Sequence, residues 1–196
     1  ILLLWTGWMV LNAQPQSNKD SVQEKGYFRH PWQGKRIGYI GDSITDPNCI
    51  GEVRKYWSFL DEWLGTSSYV YGVSGRQWDD VPRQAEMLEK EHGNEVDAIL
   101  VFIGTNDYNS SLPIGEWFTE TPAQVMSAHG QLKQLVTRIK RTLVMSNDTY
   151  KGSINIGINR LKQLFPNKQI VLLTPLHRGL ANFGDSNLQP DENYQN

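Results

Sequence analysis

The chain has 196 residues, enough for one domain at ~100–200 residues per domain. Hydrophobic residues at 39% and charged residues at 20% allow a packed core and exclude general disorder. A net charge of −2, with no Lys/Arg block longer than a short helix face, gives no support to a nucleic-acid partner.

Residues 1–13 are mostly apolar and resemble a partial secretory signal peptide, too short for the ~20 residues that span a bilayer. Residues 14–26 read as a polar linker, and 27–196 as the domain. The expectation is therefore a secreted or periplasmic protein with no stable membrane anchor. Cys49 is the only cysteine, so no internal disulfide can form, and it reads as a small buried residue.

Arg36 to Gly41 forms the first predicted strand. Glu52 to Leu64 has helical periodicity: Val53, Tyr56, Trp57, Leu60 and Trp63/Leu64 share a face, and Gly65 stops it. Ser68 to Tyr71 is the second strand. Asp79 or Asp80 caps the next helix, with Pro82 in its first turn. Val96 to Ile103 is the clearest strand, almost unbroken by polar residues, as expected where helices cover both faces of a parallel sheet. Tyr108 to Thr121 lacks periodicity and reads as a long loop. Leu132, Leu135, Val136 and Ile139 fit a helix, although Val136 to Met145 also fits an extended segment. Thr149 to Phe165 is a helix, and Gln169 to Thr174 is the fourth strand. This alternation indicates a doubly wound α/β domain.

Three motifs end three of the strands: Gly41-Asp42-Ser43-Ile44-Thr45, Gly72-Val73-Ser74-Gly75 and Gly104-Thr105-Asn106-Asp107. Ser43 precedes Gly72 by 29 residues, and Gly72 precedes Asn106 by 34. A strand–helix–strand unit takes ~30 residues, so the motifs recur on one rim, beyond the strand C-termini where such sheets bind ligands. A hydroxyl, a glycine amide and a carboxamide are the groups needed to attack a carbonyl and hold its oxyanion. Singly, each has a plainer role: Ser43 as a helix cap, Gly72 as a tight turn, Asn106 as a turn residue.

Together the motifs resemble those of the SGNH (GDSL-type) hydrolases, serine esterases with a flavodoxin-like α/β/α fold. The resemblance implies Ser43 as nucleophile, its own N–H and that of Gly72 as oxyanion donors, and the Asn106 side chain as a third. It covers Tyr27 to the chain end. The family's last block, Asp-x-x-His, supplies the general base, and no Asp here is followed three positions later by His. The reading is therefore a three-layer α/β/α doubly wound parallel sheet that stops after its fourth strand. As residues 1–196 alone it is expected to be inactive for want of the base.

His177 lies just past the fourth strand and is tempting as a substitute base, but it reads better as a rim residue. Trp57 and Trp63 fall on the apolar helix face. Trp78 and Trp117 fall in loops, either as anchors or as platforms for a sugar ring. The leading function is deacylation of carbohydrate or other small acyl esters, with a small-molecule or polysaccharide ester as substrate and no cofactor. One alternative is a non-catalytic glycan-binding module. Another uses Asp42, Asp46 and Asp107 as a metal cradle for phosphoester hydrolysis. His30, His92, His129 and His177 are dispersed and lack zinc-site spacings.

Overall fold

The structure is a computed structural model that describes residues 30–129 and 132–176. The expected leader (1–13), the linker (14–26) and His177 lie outside those residues. Four strands form one parallel sheet: β1 (Arg36–Gly41), β2 (Ser67–Val70), β3 (Ala98–Phe102) and a last strand, Gln169–Leu173. In space β1 lies between β2 and β3, and the last strand flanks β3 on its other side. All four C-termini therefore share one rim, as the motif spacing predicts.

Alternation sorts the strand side chains onto two faces. Ile37, Tyr39, Ala98, Leu100 and Phe102 face α1 (Tyr56–Leu64), meeting Tyr56, Trp57 and Leu60. The Tyr56 ring stands edge-on to both Tyr39 and Phe102, at centroid distances of 5.9 and 5.7 Å. Ile40, Ile99, Val101 and Ile103 face the other way, onto α2 (Val81–His92) and a long helix at Tyr150–Leu164. The result is the three-layer α/β/α arrangement. Close approach sets the spacing of α2: a Cβ on Gly38 would fall 2.4 Å from Leu88 Cδ2.

Several expectations need correction. The first helix begins at Tyr56, not Glu52, and Val53 is fully exposed. Lys55 stands just ahead of the helix with an extended backbone (φ −78°, ψ 146°) while its side chain reaches back to the Ser43 carbonyl, so the helix starts only after it. Trp63 lies off the buried stripe and is 70% exposed, whereas Trp57 is half-buried against the sheet. Trp78 is a core residue at 3% exposure, which removes it as a sugar platform. Cys49 is half-buried rather than buried.

The largest difference lies between β3 and the long helix. Tyr108 does not begin a featureless loop, because Thr105–Asn109 forms the short helix α3. The chain then forms β4 (Phe118–His129) and β5 (Leu132–Leu143), an antiparallel pair forming its own two-stranded sheet. The helical reading of Leu132 to Ile139 is wrong, and the extended reading of Val136 onward holds. Neither strand packs substantially on the α/β body. Numbering then continues with α4 (Tyr150–Leu164) and β6 (Gln169–Leu173). Among the described residues no helix is long and apolar enough to cross a membrane.

Leu88→Ala should cost ~2–5 kcal/mol, the usual range for emptying a fully buried leucine site. A fall in the urea midpoint would register it; a midpoint within error of wild type would refute the packing described for α2.

Candidate active site

Beyond the strand rim, the three motif turns meet through hydrogen bonds that the sheet itself does not make. Ser43 sits in a turn closed by the Thr45 and Asp46 N–H groups, which donate to the Asp42 carbonyl at 3.0 and 2.9 Å. It is half-buried, and no helix starts there, so the anticipated helix N-terminus is replaced by this turn. Gly72 is buried against the same turn: a Cβ there would lie 2.6 Å from Thr45 Cβ and 3.1 Å from the Asp46 nitrogen. A side chain would push the two turns apart, so glycine is required by close approach. The Tyr71 and Val73 amides bond to Tyr39 and Gly41 carbonyls, which leaves the Gly72 N–H outside that ladder.

Asn106 lies in α3, after Gly104, whose φ of 135° strongly disfavours other residues. The Asn106 Nδ2 donates to the Arg76 carbonyl at 2.9 Å, and Gln77 Nε2 donates to the Asn106 carbonyl at 2.8 Å. One amide hydrogen thus anchors the carboxamide, and the second is left for another acceptor.

Three aspartates complete the joinery. Asp46 Oδ2 accepts from the Ser74 N–H and hydroxyl at 2.8 and 2.7 Å, tying the first turn to the second. Asp107 accepts from the Trp78 N–H at 3.2 and 3.3 Å, tying the third turn to the end of the second. Asp42 takes the Ile44 N–H at 3.0 Å within its own turn, and the Thr105 N–H favours the charged form of its carboxyl. Sequence reading singled out these aspartates only as a possible metal cradle. Among the described residues no set of three carboxylate, imidazole or thiol groups is placed to hold a metal ion.

The start of α1 supports the Ser43 turn from one side. Lys55 is 8% exposed, and its Nζ donates to the Ser43 carbonyl at 2.9 Å and to Glu52 Oε2 at 2.8 Å. Tyr56 Oη lies 3.2 Å from Thr45 Oγ1, and Trp57 Nε1 donates to the Thr45 carbonyl at 3.0 Å. From the other side, buried Gln84 grips Gly41, accepting from its N–H at 2.9 Å and donating to its carbonyl at 3.0 Å. Sequence reading missed Lys55 and Gln84, since a lysine just ahead of a helix and a glutamine within one resemble ordinary surface residues.

Burial dominates the electrostatics. It raises Asp107 from 3.8 to about 6; the Trp78 N–H opposes the rise, and the Asp79 and Asp42 charges add to it. Burial also raises Asp42, against the pull of the Ile44 and Thr105 amides and of Lys55. Asp46 moves the other way. Burial would raise it, but bonds from Asn48 and Ser74 outweigh that and hold it below the ordinary value.

A profile of the GDSL-like lipase/acylhydrolase family matches residues 39–194, which takes in all three motifs. The chain belongs to the GDSL-like lipase/acylhydrolase family. A crystal structure of a Lactobacillus plantarum protein is similar in fold, with a TM-score of 0.57 and 22% identity. The match covers 79% of this chain and 62% of that one, so this chain spans about three fifths of that protein's length. No curated protein matches.

Neither His30 nor His92 stands beside Ser43 as the family's general base would. His30 bonds beside Trp32, whose indole reaches Gln169 at the start of β6. His92 ends α2 and stacks on Tyr69. The turn holding His30 and the C-terminus of α2 both lie toward the strand N-termini, on the edge opposite Ser43. Among the described residues the Ser43 hydroxyl has no hydrogen-bond partner.

Folded Asp107 keeps a proton between pH 3.8 and about 6 that the unfolded chain has already released. Its contribution to stability is therefore greatest below that window and lost as pH rises through it. Asp107→Asn retains an acceptor for the Trp78 N–H, so its unfolding midpoint should fall less than wild type's between pH 4 and pH 7. Equal falls in both proteins would contradict the assignment.

Proposed function

We propose that the chain is a serine ester hydrolase that works through an acyl-enzyme on Ser43. The observation that carries this reading is the drawing together of the Ser43, Gly72 and Asn106 turns by buried carboxylates on one rim. In the proposed reaction Ser43 Oγ attacks the ester carbonyl and passes its proton to a base supplied from outside the described residues. The carbonyl oxygen gains negative charge and is met by the Ser43 N–H, the Gly72 N–H and the free hydrogen of Asn106 Nδ2. The base returns the proton to the departing alcohol, then takes one from water as that water attacks the acyl group. Acid is released and Ser43 regains its proton.

Carbohydrate esters, such as acetylated polysaccharide, are the proposed substrate class. Trp117 supports this choice: it is 41% exposed at the base of the β4–β5 hairpin, which leaves the body between α3 and the N-terminus of α4. That junction lies toward the strand C-termini, where a flat aromatic face can meet a sugar ring. The expected export of the protein fits the same substrate. A second reading, a glycan-binding module without turnover, draws on the Ser43 hydroxyl having no hydrogen-bond partner among the described residues. Phosphoester chemistry on a metal finds no comparable support, because Asp42, Asp46 and Asp107 are each committed to backbone N–H groups.

Hydrolysis of a chromogenic acetate ester by the full-length protein separates these readings. Ser43→Ala should reduce turnover to background and abolish labelling by a fluorophosphonate. Asn106→Ala should lower kcat by ~10²–10³. Turnover that survives Ser43→Ala would overturn the proposal, and glycan binding without any turnover would favour the second reading.

Lys55→Met should lower kcat on the order of 10- to 100-fold, with KM little changed, because the turn presenting Ser43 loses its anchor. A kcat equal to wild type's would show that the anchor does not position the nucleophile.

A further inference from the structure

The β4–β5 hairpin has two unlike faces. Register pairs Glu120 with Arg141, Pro122 with Ile139, Gln124 with Thr137, Met126 with Leu135 and Ala128 with Lys133, all on one face with the Phe118–Leu143 pair. The other face is more polar: it carries Thr119 with Thr142, Thr121 with Lys140, Ala123 with Arg138 and Ser127 with Gln134, with Val125 and Val136 as its apolar pair. The first face is the apolar one, yet it is open: Met126, Leu135, Ile139 and Leu143 are 59, 63, 58 and 56% exposed. An isolated two-stranded ribbon is marginal in water, and contiguous exposed apolar surface of this kind marks an interaction site.

We infer that the apolar face of this hairpin docks on the same face of a second copy of the chain. Charge complementarity selects that occupant. A two-fold axis running along the strands lays β4 of one copy over β5 of the other, so each cross-strand pair meets itself. Phe118 then meets Leu143, Pro122 meets Ile139 and Met126 meets Leu135, so apolar levels match throughout. Two levels carry charge: Glu120 of each copy stacks over Arg141 of the other, and toward the hairpin tip Lys133 of each falls at the level of Ala128, while the Gln124–Thr137 level matches amide to hydroxyl. Within a copy Arg141 Nε already donates to Glu120 Oε1 at 2.8 Å, so two stacked pairs alternate in sign around a four-membered ring.

The hairpin's base leaves room for this. The Val144 N–H donates to the Trp117 carbonyl at 3.1 Å, extending the ladder by one pair. Trp117 therefore falls on the threonine-rich face, and its ring lies 5.7 Å from Lys151 Nζ on α4. At the hairpin's base the threonine-rich side is thus the one turned toward α4, and the apolar side turns away from it. Stacking two apolar faces puts the bodies on opposite outer sides.

Size sets the strength. A strand of 12 residues is ~40 Å long at ~3.4 Å per residue, and two strands cover a width of ~10 Å. Two such faces would cover ~800 Å², below the ~1,200–2,000 Å² of stable complexes, so the dimer should be weak and reversible.

Sedimentation velocity of the full chain over a broad concentration range tests the inference. Wild type should move from monomer at low concentration to doubled mass at high concentration. Leu135→Glu with Ile139→Glu should remain monomeric throughout, with an unchanged melting temperature, since both side chains are exposed. Arg141→Glu alone should also remain monomeric, and adding Glu120→Arg should restore the doubled mass. A monomer at every concentration, a dimer indifferent to these changes, or a mass increase only with lipid vesicles would overturn the proposal.

Discussion

Leaving a parallel sheet at its C-terminal rim deprives each turn of the ladder that satisfied its backbone, and buried N–H groups must find other acceptors. Here aspartates accept for three neighbouring turns. Asp46 takes the Ser74 amide, Asp107 takes the Trp78 amide, and Asp42 takes the Ile44 amide beside Thr105. Asp42 and Asp107 lie within motifs and Asp46 just after the first, and each reaches into its own turn or a neighbouring one. The geometry of the rim is thus set less by the strands than by where these acceptors lie, and the Ser43, Gly72 and Asn106 turns are held as one unit.

That arrangement carries an internal tension. Burial opposes ionisation, which is why Asp42 and Asp107 both hold their protons more tightly than usual, and at Asp107 the Asp79 and Asp42 charges add to it. Asp46 escapes this because it gains hydroxyl and amide donors together. Lys55 adds a buried positive charge beside the same turn, and Glu52 in turn balances Lys55. The Ser43 turn therefore sits in a field shaped by a compensated set of charges. Removing one partner of such a set leaves another buried without its counterpart, which generally costs more than the intact pair contributes.

Much of this could be read from the residues. Ile37–Ile40 and Ala98–Phe102 announce buried strands because helices cover both faces, and the interval between motifs is the length of a strand–helix–strand unit. Gly72 and Asn106 were found as positions on one rim for the same reason. Lys55 and Gln84 were not, since their roles depend on which turn the tertiary fold brings against them. The hairpin was hidden by its chemistry. In β5, Leu132, Leu135, Val136 and Ile139 mimic a helical stripe, while Lys140 and Arg141 interrupt strict alternation. Only pairing with β4 reveals that Leu135 and Ile139 share a face at a spacing of four, which two strand periods also satisfy.

The hairpin can be so long without disturbing the body because of how its ends are held. Buried Asn155, on α4, donates through Nδ2 to both the Trp117 and Val144 carbonyls, each at 2.8 Å. The chain thus leaves and re-enters the body at one clasped point, and α4 resumes where Tyr150 and Lys151 donate to the Pro113 and Ile114 carbonyls. Seen from the core, the insertion behaves as a closed short loop, and the entropy of closing a longer one grows only with the logarithm of its length. Residues on the ribbon are then free of the packing demands that constrain β1 and β3. An apolar face there has no role in the core of its own domain, so its composition must answer to whatever meets it from outside.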